Sequence, residues 1–476
     1  MHYCVAACFL LYSILSWGQN LANKLDVLID QQLPTATVGV LIKNLQTNEI
    51  IYSRNAEKLL TPASSVKLFT AAAAMYALPE DFRFITPLSR KDRHYYLTFS
   101  GSPSLTAKNL GELIANLPKH GIKKIDGDLI LDSSHYPAPF YLNGNSYDDL
   151  GWGYTAPDSA VIINENKETY SLKSGKLGEL VQIIPKSSQE KVKQKQFDAL
   201  TLINEVKTVT KDEEQNRCSL HLDMQESNTI TLSGCVAQSK NLRNIELAIP
   251  DPEFYAQQIL KEALKNNEIA LKGTIKKGKT PKDVQYITSL QSAVLNKMIK
   301  HMLQQSDNLY ANTLVRTLGC HIAHDCSYKQ GMYVLKKIIQ EQTQLDPKKM
   351  ELVDGEGTRY NLISPSQLVT LLTQVYQDLK LRPRLMNSLP QSGISGTLQG
   401  RFKNTVLEKK VFAKTGTMHD VSSLSGFIIN PGSTSVVFSI ITNGVIKSEK
   451  AKALEEKILL TVIEDYIEKT HKLSTS

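Results

Sequence analysis

Apolar residues gather into two recognisable patterns, one near each end of the chain. Near the start, Ala36 to Lys43 and Ile50 to Arg54 are apolar-rich runs separated by a polar turn around Gln46 to Asn48, which predicts two strands. Thr61 and Pro62 then read as a helix start, with Thr61 as N-cap and Pro62 at the first helical position. Ala71 to Ala74 continue this helix with almost no polar face, so it is expected to lie buried. At the far end, Lys410 to Thr415 reads as a strand. Ser422 to Ile429 and Ser435 to Thr442 read as a hairpin across Asn430-Pro431-Gly432-Ser433. Glu449 to Ile467 is an amphipathic helix with Leu454, Ile458, Leu459, Val462 and Ile463 as its apolar stripe.

Strands and a helix at both ends predict an α/β (α+β) domain whose antiparallel sheet is shared by the two termini, with flanking helices. The middle is then an insertion. The expected division is 19–84 with 285–476 for the shared domain, 85–165 with 246–284 for one accessory domain, and 166–245 for a second. Residues 285–380 look mainly helical. Residues 166–245 are rich in Lys, Gln, Glu and Thr, with short alternating runs at Ser219 to Leu222 and Thr229 to Leu232, which suggests a small β-rich module.

Composition refines this picture in one respect, the compartment. Val5 to Leu15 is an apolar run followed by Ser16-Trp17-Gly18, which fits a cleaved leader over 1–18, although no Lys or Arg precedes it. The run is too short to span a bilayer, so export to the periplasm is expected. Loss of the leader removes Cys4 and Cys8 and leaves Cys218, Cys235, Cys320 and Cys326; about three connectivities exist for four cysteines, and disulfides within each close pair are expected. The net charge of +8 is spread along the chain. It suits peripheral attraction to anionic membrane or wall surfaces and gives no concentrated nucleic-acid motif.

Three short motifs carry the chemistry. Ser64-Ser65-Val66-Lys67 is S-x-x-K, Ser306-Asp307-Asn308 is S-D-N and Lys414-Thr415-Gly416 is K-T-G. Three residues apart on a helix, Ser64 and Lys67 share a face, so the amine can reach the hydroxyl. A lysine can act as base near neutrality only if its pKa falls from about 10.4, through burial and a second nearby cation, here Lys414. None of the ten histidines belongs to these motifs, which favours a lysine base over a Ser-His-Asp triad. Ser188 to Lys191 also spells S-x-x-K, but it sits in a polar stretch without a buried helix behind it.

The ordered triple resembles the signature of penicillin-binding proteins and class A β-lactamases. The stretches TPASSVKLFTAAAAMYAL, GSPSLT at Gly101 to Thr106, QQSDNLYANTLVRTLG at Gln304 to Gly319 and KTGTMHDVSSLSGFI at Lys414 to Ile428 resemble, more closely, the class C low-molecular-mass penicillin-binding proteins, the D-alanyl-D-alanine carboxypeptidases and endopeptidases of peptidase family S13. The resemblance covers nearly the whole mature chain. It implies a penicillin-binding, transpeptidase-like domain with two accessory domains inserted between the S-x-x-K and S-x-N segments. It also implies roles: Ser64 as nucleophile, Lys67 as its base, Ser306 as proton relay to the leaving amine, and Asn308 orienting Lys67 and the substrate amide. Lys414 and Thr415 are then expected to hold the terminal carboxylate, and Gly416 to admit substrate close to the backbone. The N–H groups of Ser64 and Thr417 form the oxyanion hole.

Two further matches are looser. Asp149, in Tyr147-Asp148-Asp149-Leu150, resembles an acid that contacts the substrate's diamino-acid side chain. Arg359 resembles a substrate-binding arginine, although Asp354-Gly355-Glu356-Gly357-Thr358-Arg359-Tyr360-Asn361 is one residue shorter than the related motif and has Glu in place of Ser. The expected partners are peptidoglycan peptides and β-lactams. Cys320-His321-Ile322-Ala323-His324-Asp325-Cys326 brings metal-ligand types close together, but four ligands from it need an unusually tight turn. The catalytic reading needs no metal and no cofactor, so neither is expected. The competing readings are a β-lactamase, which lacks a clear deacylating Glu motif here, and a non-catalytic peptidoglycan-binding relative, which gains nothing from three intact motifs.

Overall fold

The computed structural model describes residues 21–186, 199–430 and 435–474. The leader expected over 1–18, the Ser188 to Lys191 segment and most of the Asn430 to Ser433 turn lie outside the described residues. The chain divides into two compact units: Met1–Glu80 with Ile299–Asp307 and Gly331–Ser476, and Asp81–Met298 with Asn308–Gln330. No described helix is long and apolar enough to cross a membrane.

The first unit is built on the sheet that joins both termini. Its strands are β1 (Thr37–Asn44), β2 (Ile50–Arg54), β3 (Val411–Met418), β4 (Val421–Ile428) and β5 (Val436–Asn443). They lie in the order β3-β4-β5-β1-β2, and every neighbouring pair is antiparallel. The interior strand β4 is buried along its whole length, as a strand covered on both faces should be. The C-terminal helix Ser448–Ser474 packs with the expected stripe inward: Leu454, Ile458, Leu459, Val462 and Ile463 are all 0–2% exposed. They share a core with Leu21, Leu25 and Ile29 of the helix at 21–32 and with sheet residues Val40, Leu424 and Phe438.

Helix α1 (Lys67–Ala77) is buried from Lys67 to Met75, as the run of alanines implies, but it starts later than expected. Ala63–Val66 forms a 3₁₀ turn, and Pro62 stands before it with no side-chain cap bond. Thr61 caps nothing. Its N–H donates to Asn443 Oδ1 (2.9 Å) and its carbonyl accepts from Asn443 Nδ2 (2.9 Å), so the end of β5 takes its backbone. Ala63 then adopts φ +48, which interrupts the helical path that a Thr-Pro start requires.

The second unit has its own five-stranded sheet, in the order Ile275–Lys277, Leu129–Asp132, His94–Thr98, Ile85–Lys91, Gln285–Gln291. The segment 285–380 is therefore not helical throughout: Gln285–Gln291 pairs antiparallel with Ile85–Lys91. Among the described residues of 167–248 lie several shorter strands, including His221–Met224, which takes up the end of one alternating run, and Thr229–Ser233, which takes up the other. The unit's core runs from Leu88 and Leu97 through Tyr170 and Leu232 to Tyr255 and Leu260. Cys218 is bonded to Cys235 and Cys320 to Cys326. Arg316, fully buried on the helix Asn308–Leu318, pairs through Nε with Asp158 Oδ2 (2.9 Å).

Candidate active site

The 3₁₀ turn leads straight into α1, and this presents Ser64 at the head of a buried helix. Lys67, the first residue of α1, donates from Nζ to Ser64 Oγ at 3.0 Å, so the serine and lysine of S-x-x-K do meet. Nζ also donates to the carbonyl of Glu356 at 2.6 Å. The turn is fastened to the sheet by serines. Ser65 Oγ lies 2.7 Å from Ser423 Oγ on β4, and Ser423 Oγ donates to the Pro62 carbonyl at 2.7 Å.

Strand β3 carries the K-T-G motif past this turn. Lys414 is buried and donates from Nζ to Ser306 Oγ (2.9 Å) and to the Thr415 carbonyl (2.6 Å). Gly416 is needed for the close approach: a Cβ there would stand 2.6 Å from the Pro62 carbonyl and 3.0 Å from the Ser64 nitrogen. Thr415 donates from Oγ1 to Thr397 Oγ1 (2.7 Å), and Thr417 is exposed at the strand's end. Ser306 has φ +59, a conformation uncommon for a non-glycine residue. Left-handed Ala63 and Ser306 thus both lie at the motifs, one directly before the Ser64 hydroxyl and one carrying a hydroxyl itself. Such backbone strain collects at functional sites.

The electrostatics are unusual because two ammonium groups lie where water is excluded. Burial lowers the Lys67 pKa to about 8, partly opposed by the carboxylates of Glu356, Asp307 and Asp354. Lys414 is also held well below its ordinary value, first by burial and then by repulsion from Lys67. Burial, one of the two expected causes, is the largest one at both lysines.

Sequence reasoning used the segment 354–361 only for its arginine and missed its larger role. The Asp354 carboxylate accepts from the N–H groups of Glu356 (3.0 Å) and Gly357 (2.6 Å), and from Asn361 Nδ2 (2.8 Å). That turn directs the Gly355 carbonyl at Thr70 Oγ1 (2.7 Å) and the Glu356 carbonyl at Lys67. Gly357, at φ +106, lies so close to Ala63 and Ser64 that no side chain fits there. The pattern D-G-x-G was the available signal, since an Asx turn beside two glycines marks a tightly folded loop. Arg359 is exposed and reaches Asp420 Oδ1 across 3.4 Å, at the turn between β3 and β4.

Two site residues belong to the second unit. Asn308 follows Asp307 in the chain and opens the helix Asn308–Leu318, donating from Nδ2 to the Tyr154 carbonyl at 2.9 Å. Asp149 accepts from Tyr154 Oη at 2.7 Å. Tyr154 therefore links the two within that unit.

The family model for D-Ala-D-Ala carboxypeptidase 3 (S13) matches residues 21–464. A D-alanyl-D-alanine carboxypeptidase, DacB, of Haemophilus influenzae is 30% identical over 431 residues, 87% of this chain and 87% of that one. The crystal structure of penicillin binding protein 4 (dacB) from the same organism superposes with a TM-score of 0.80 at 28% identity, covering 91% of this chain and 98% of the other. A second structure of that protein, complexed with a β-lactam, gives a TM-score of 0.76 at 28% identity and covers 93% and 99% of the two chains.

Proposed function

The chain belongs to the D-Ala-D-Ala carboxypeptidase 3 (S13) family, and on that premise we propose that it hydrolyses D-alanyl bonds of peptidoglycan stem peptides and cross-links through an acyl-enzyme on Ser64. The observation that carries this reading is the 3.0 Å contact between Ser64 Oγ and the Nζ of a buried lysine whose pKa is brought down to about 8. Neutral Lys67 takes the Ser64 proton as Oγ attacks the carbonyl of the penultimate D-Ala. The N–H groups of Ser64 and Thr417 hold the resulting oxyanion. The close passage of β3 beside the Ser64 nitrogen supports this assignment. Ser306, bonded to Lys414, relays a proton to the departing amine. Water then hydrolyses the ester with Lys67 again as base.

The substrate's terminal carboxylate is assigned to Lys414 and Thr415, with Gly416 leaving room for its backbone. Asn308, adjacent in the chain to Asp307, is assigned to the substrate amide. Arg359 is assigned to substrate binding, and Asp149 to the diamino-acid side chain, on the sequence resemblance. β-Lactams, which acylate such a serine, are proposed as suicide ligands, since the related Haemophilus protein has been crystallised with one. The insertion is proposed to carry two modules, 85–165 with 246–284 and 166–245. Export by the leader at 1–18, a periplasmic location and peripheral attraction of a +8 chain to anionic surfaces complete the proposal.

Digestion of purified muropeptides, both pentapeptide monomers and cross-linked dimers, with products read by mass, tests the reaction. Loss of one D-alanine from the monomer or scission of the dimer is expected. Intact substrates alongside labelling by fluorescent penicillin would leave a penicillin-binding protein without this peptidase activity. Rapid release of penicilloate would instead make it a β-lactamase.

A further inference from the structure

Within the second unit, three ligand-type side chains that belong to none of the three motifs converge. His135 follows the strand Leu129–Asp132, and its Nε2 lies 3.8 Å from Cys320 Sγ and 3.9 Å from Cys326 Sγ. The three donor atoms all fall within 4.8 Å of one another. The sequence heptapeptide suggested only ligands from its own seven residues, and the third ligand comes instead from a position 185 residues earlier.

We infer that His135, Cys320 and Cys326 form a thiol-gated site for a zinc-class metal ion, closed while the cysteines are joined and open once they are reduced. In a tetrahedral zinc site with Zn–S of about 2.3 Å and Zn–N of about 2.0 Å, nitrogen and sulfur ligands stand about 3.6 Å apart. The histidine is already near that distance from both sulfurs. The only movement required is for the sulfurs to part from each other. Two thiolates also neutralise a divalent ion, which suits a place where both cysteines are half-buried against the unit's hydrophobic core. Three protein ligands leave the fourth position to water, so the site is of the exchangeable type.

Hydrogen bonds hold the scaffold in addition to the disulfide. The Arg316 guanidinium donates to the carbonyls of Pro137 (3.0 Å), Pro139 (2.5 Å) and Cys326 (3.3 Å), tying the segment after His135 to one of the two cysteines. Asp325 N–H donates to the Gly319 carbonyl at 3.3 Å and closes the loop between the cysteines. Opening requires a dithiol reductant, which leaves as a disulfide while Cys320 and Cys326 become thiols. The ion then displaces two thiol protons to solvent, and His135 donates the Nε2 lone pair with its own proton on Nδ1.

The test uses cobalt(II) as a zinc surrogate on the full chain, oxidised and after reduction with a phosphine, with circular dichroism to monitor the fold. The reduced chain is expected to show thiolate-to-cobalt charge-transfer absorption that the oxidised chain lacks. Cys320→Ser with Cys326→Ser should abolish this component and leave whatever the other cysteines contribute. His135→Ala should weaken it by at least tenfold, and His135→Cys should restore it. Cobalt binding equal in the oxidised chain, an unchanged titration in His135→Ala, or loss of the fold on reduction would each overturn the inference.

Discussion

Both units bury strong cations, and they treat them in opposite ways. Arg316 in the second unit is enclosed but fully matched: its guanidinium meets both oxygens of Asp158 (2.9 and 3.1 Å) and the carbonyls of Pro137, Pro139 and Cys326. Lys414 in the first unit is just as buried, yet its hydrogen bonds go to a hydroxyl and a carbonyl, with no ion pair among the described residues. Lys67 donates to Ser64 Oγ and the Glu356 carbonyl, and the carboxylates of Glu356, Asp307 and Asp354 only partly oppose the effect of its burial. A matched buried charge fixes local structure, because its proton and its partners are all satisfied. A buried ammonium facing neutral oxygens loses its proton readily, and that makes it chemically useful at a cost in stability.

The contrast can be broken by matched substitutions. Lys67→Met should reduce acylation by penicillin and by peptide by roughly 10²–10⁴-fold, the usual worth of one positioned proton transfer. Its Tm should hold or rise, because an apolar side chain replaces a group that burial disfavours. A parallel fall in Tm and rate would show that Lys67 is structural after all. Arg316→Met should do the reverse to the fold, destabilising it by about 3–5 kcal/mol because Asp158 stays buried without its partner. Denaturant unfolding measures that, and a change below about 1 kcal/mol would remove the distinction between the two cations.

A finer test concerns pH. Acylation depends on neutral Lys67, so its rate should fall as pH drops below about 8, the value to which burial brings that group. Burial, and then the Lys67 charge, hold the Lys414 pKa well below its ordinary value. Lys414→Ala should therefore leave this acid limb nearly in place, while Lys414→Arg installs a permanent cation and should move it to lower pH. An upward shift in Lys414→Ala would mean that Lys414 stays charged beside Lys67 in the free enzyme. The smallest effect is expected at the exposed Arg359. Arg359→Ala should alter stability by less than about 1 kcal/mol. It should raise KM for peptide several-fold and leave penicillin acylation unchanged. Equal effects on both substrates would make it a general rim charge.

Much of this arrangement was legible in the chain itself. The strands at each end, the alanine helix and the stripe from Leu454 to Ile463 all follow from periodicity, because burial on one face is a local pattern. The S-x-x-K and K-T-G motifs could be placed on a helix head and a strand for the same reason. What escaped depends on partners remote in sequence. Thr61 looked like a cap, but Asn443 claims its backbone from the far end of the chain. The left-handed turns at Ala63 and Ser306 have no glycine to announce them. The Asp354 loop, which supports Lys67 from 289 residues away, carries a turn signal but nothing that says what it faces. The strand Gln285–Gln291 was hidden in a helical stretch because its partner, Ile85–Lys91, lies two hundred residues earlier.

Everything in the proposed mechanism passes through one oxygen atom. Trapping the chain with a β-lactam, digesting it and mapping the adduct by mass spectrometry tests this most directly. The account predicts a single adduct, on the peptide containing Ser64, that disappears in Ser64→Ala. An adduct on Ser188 or Ser306, or labelling that survives Ser64→Ala, would contradict it.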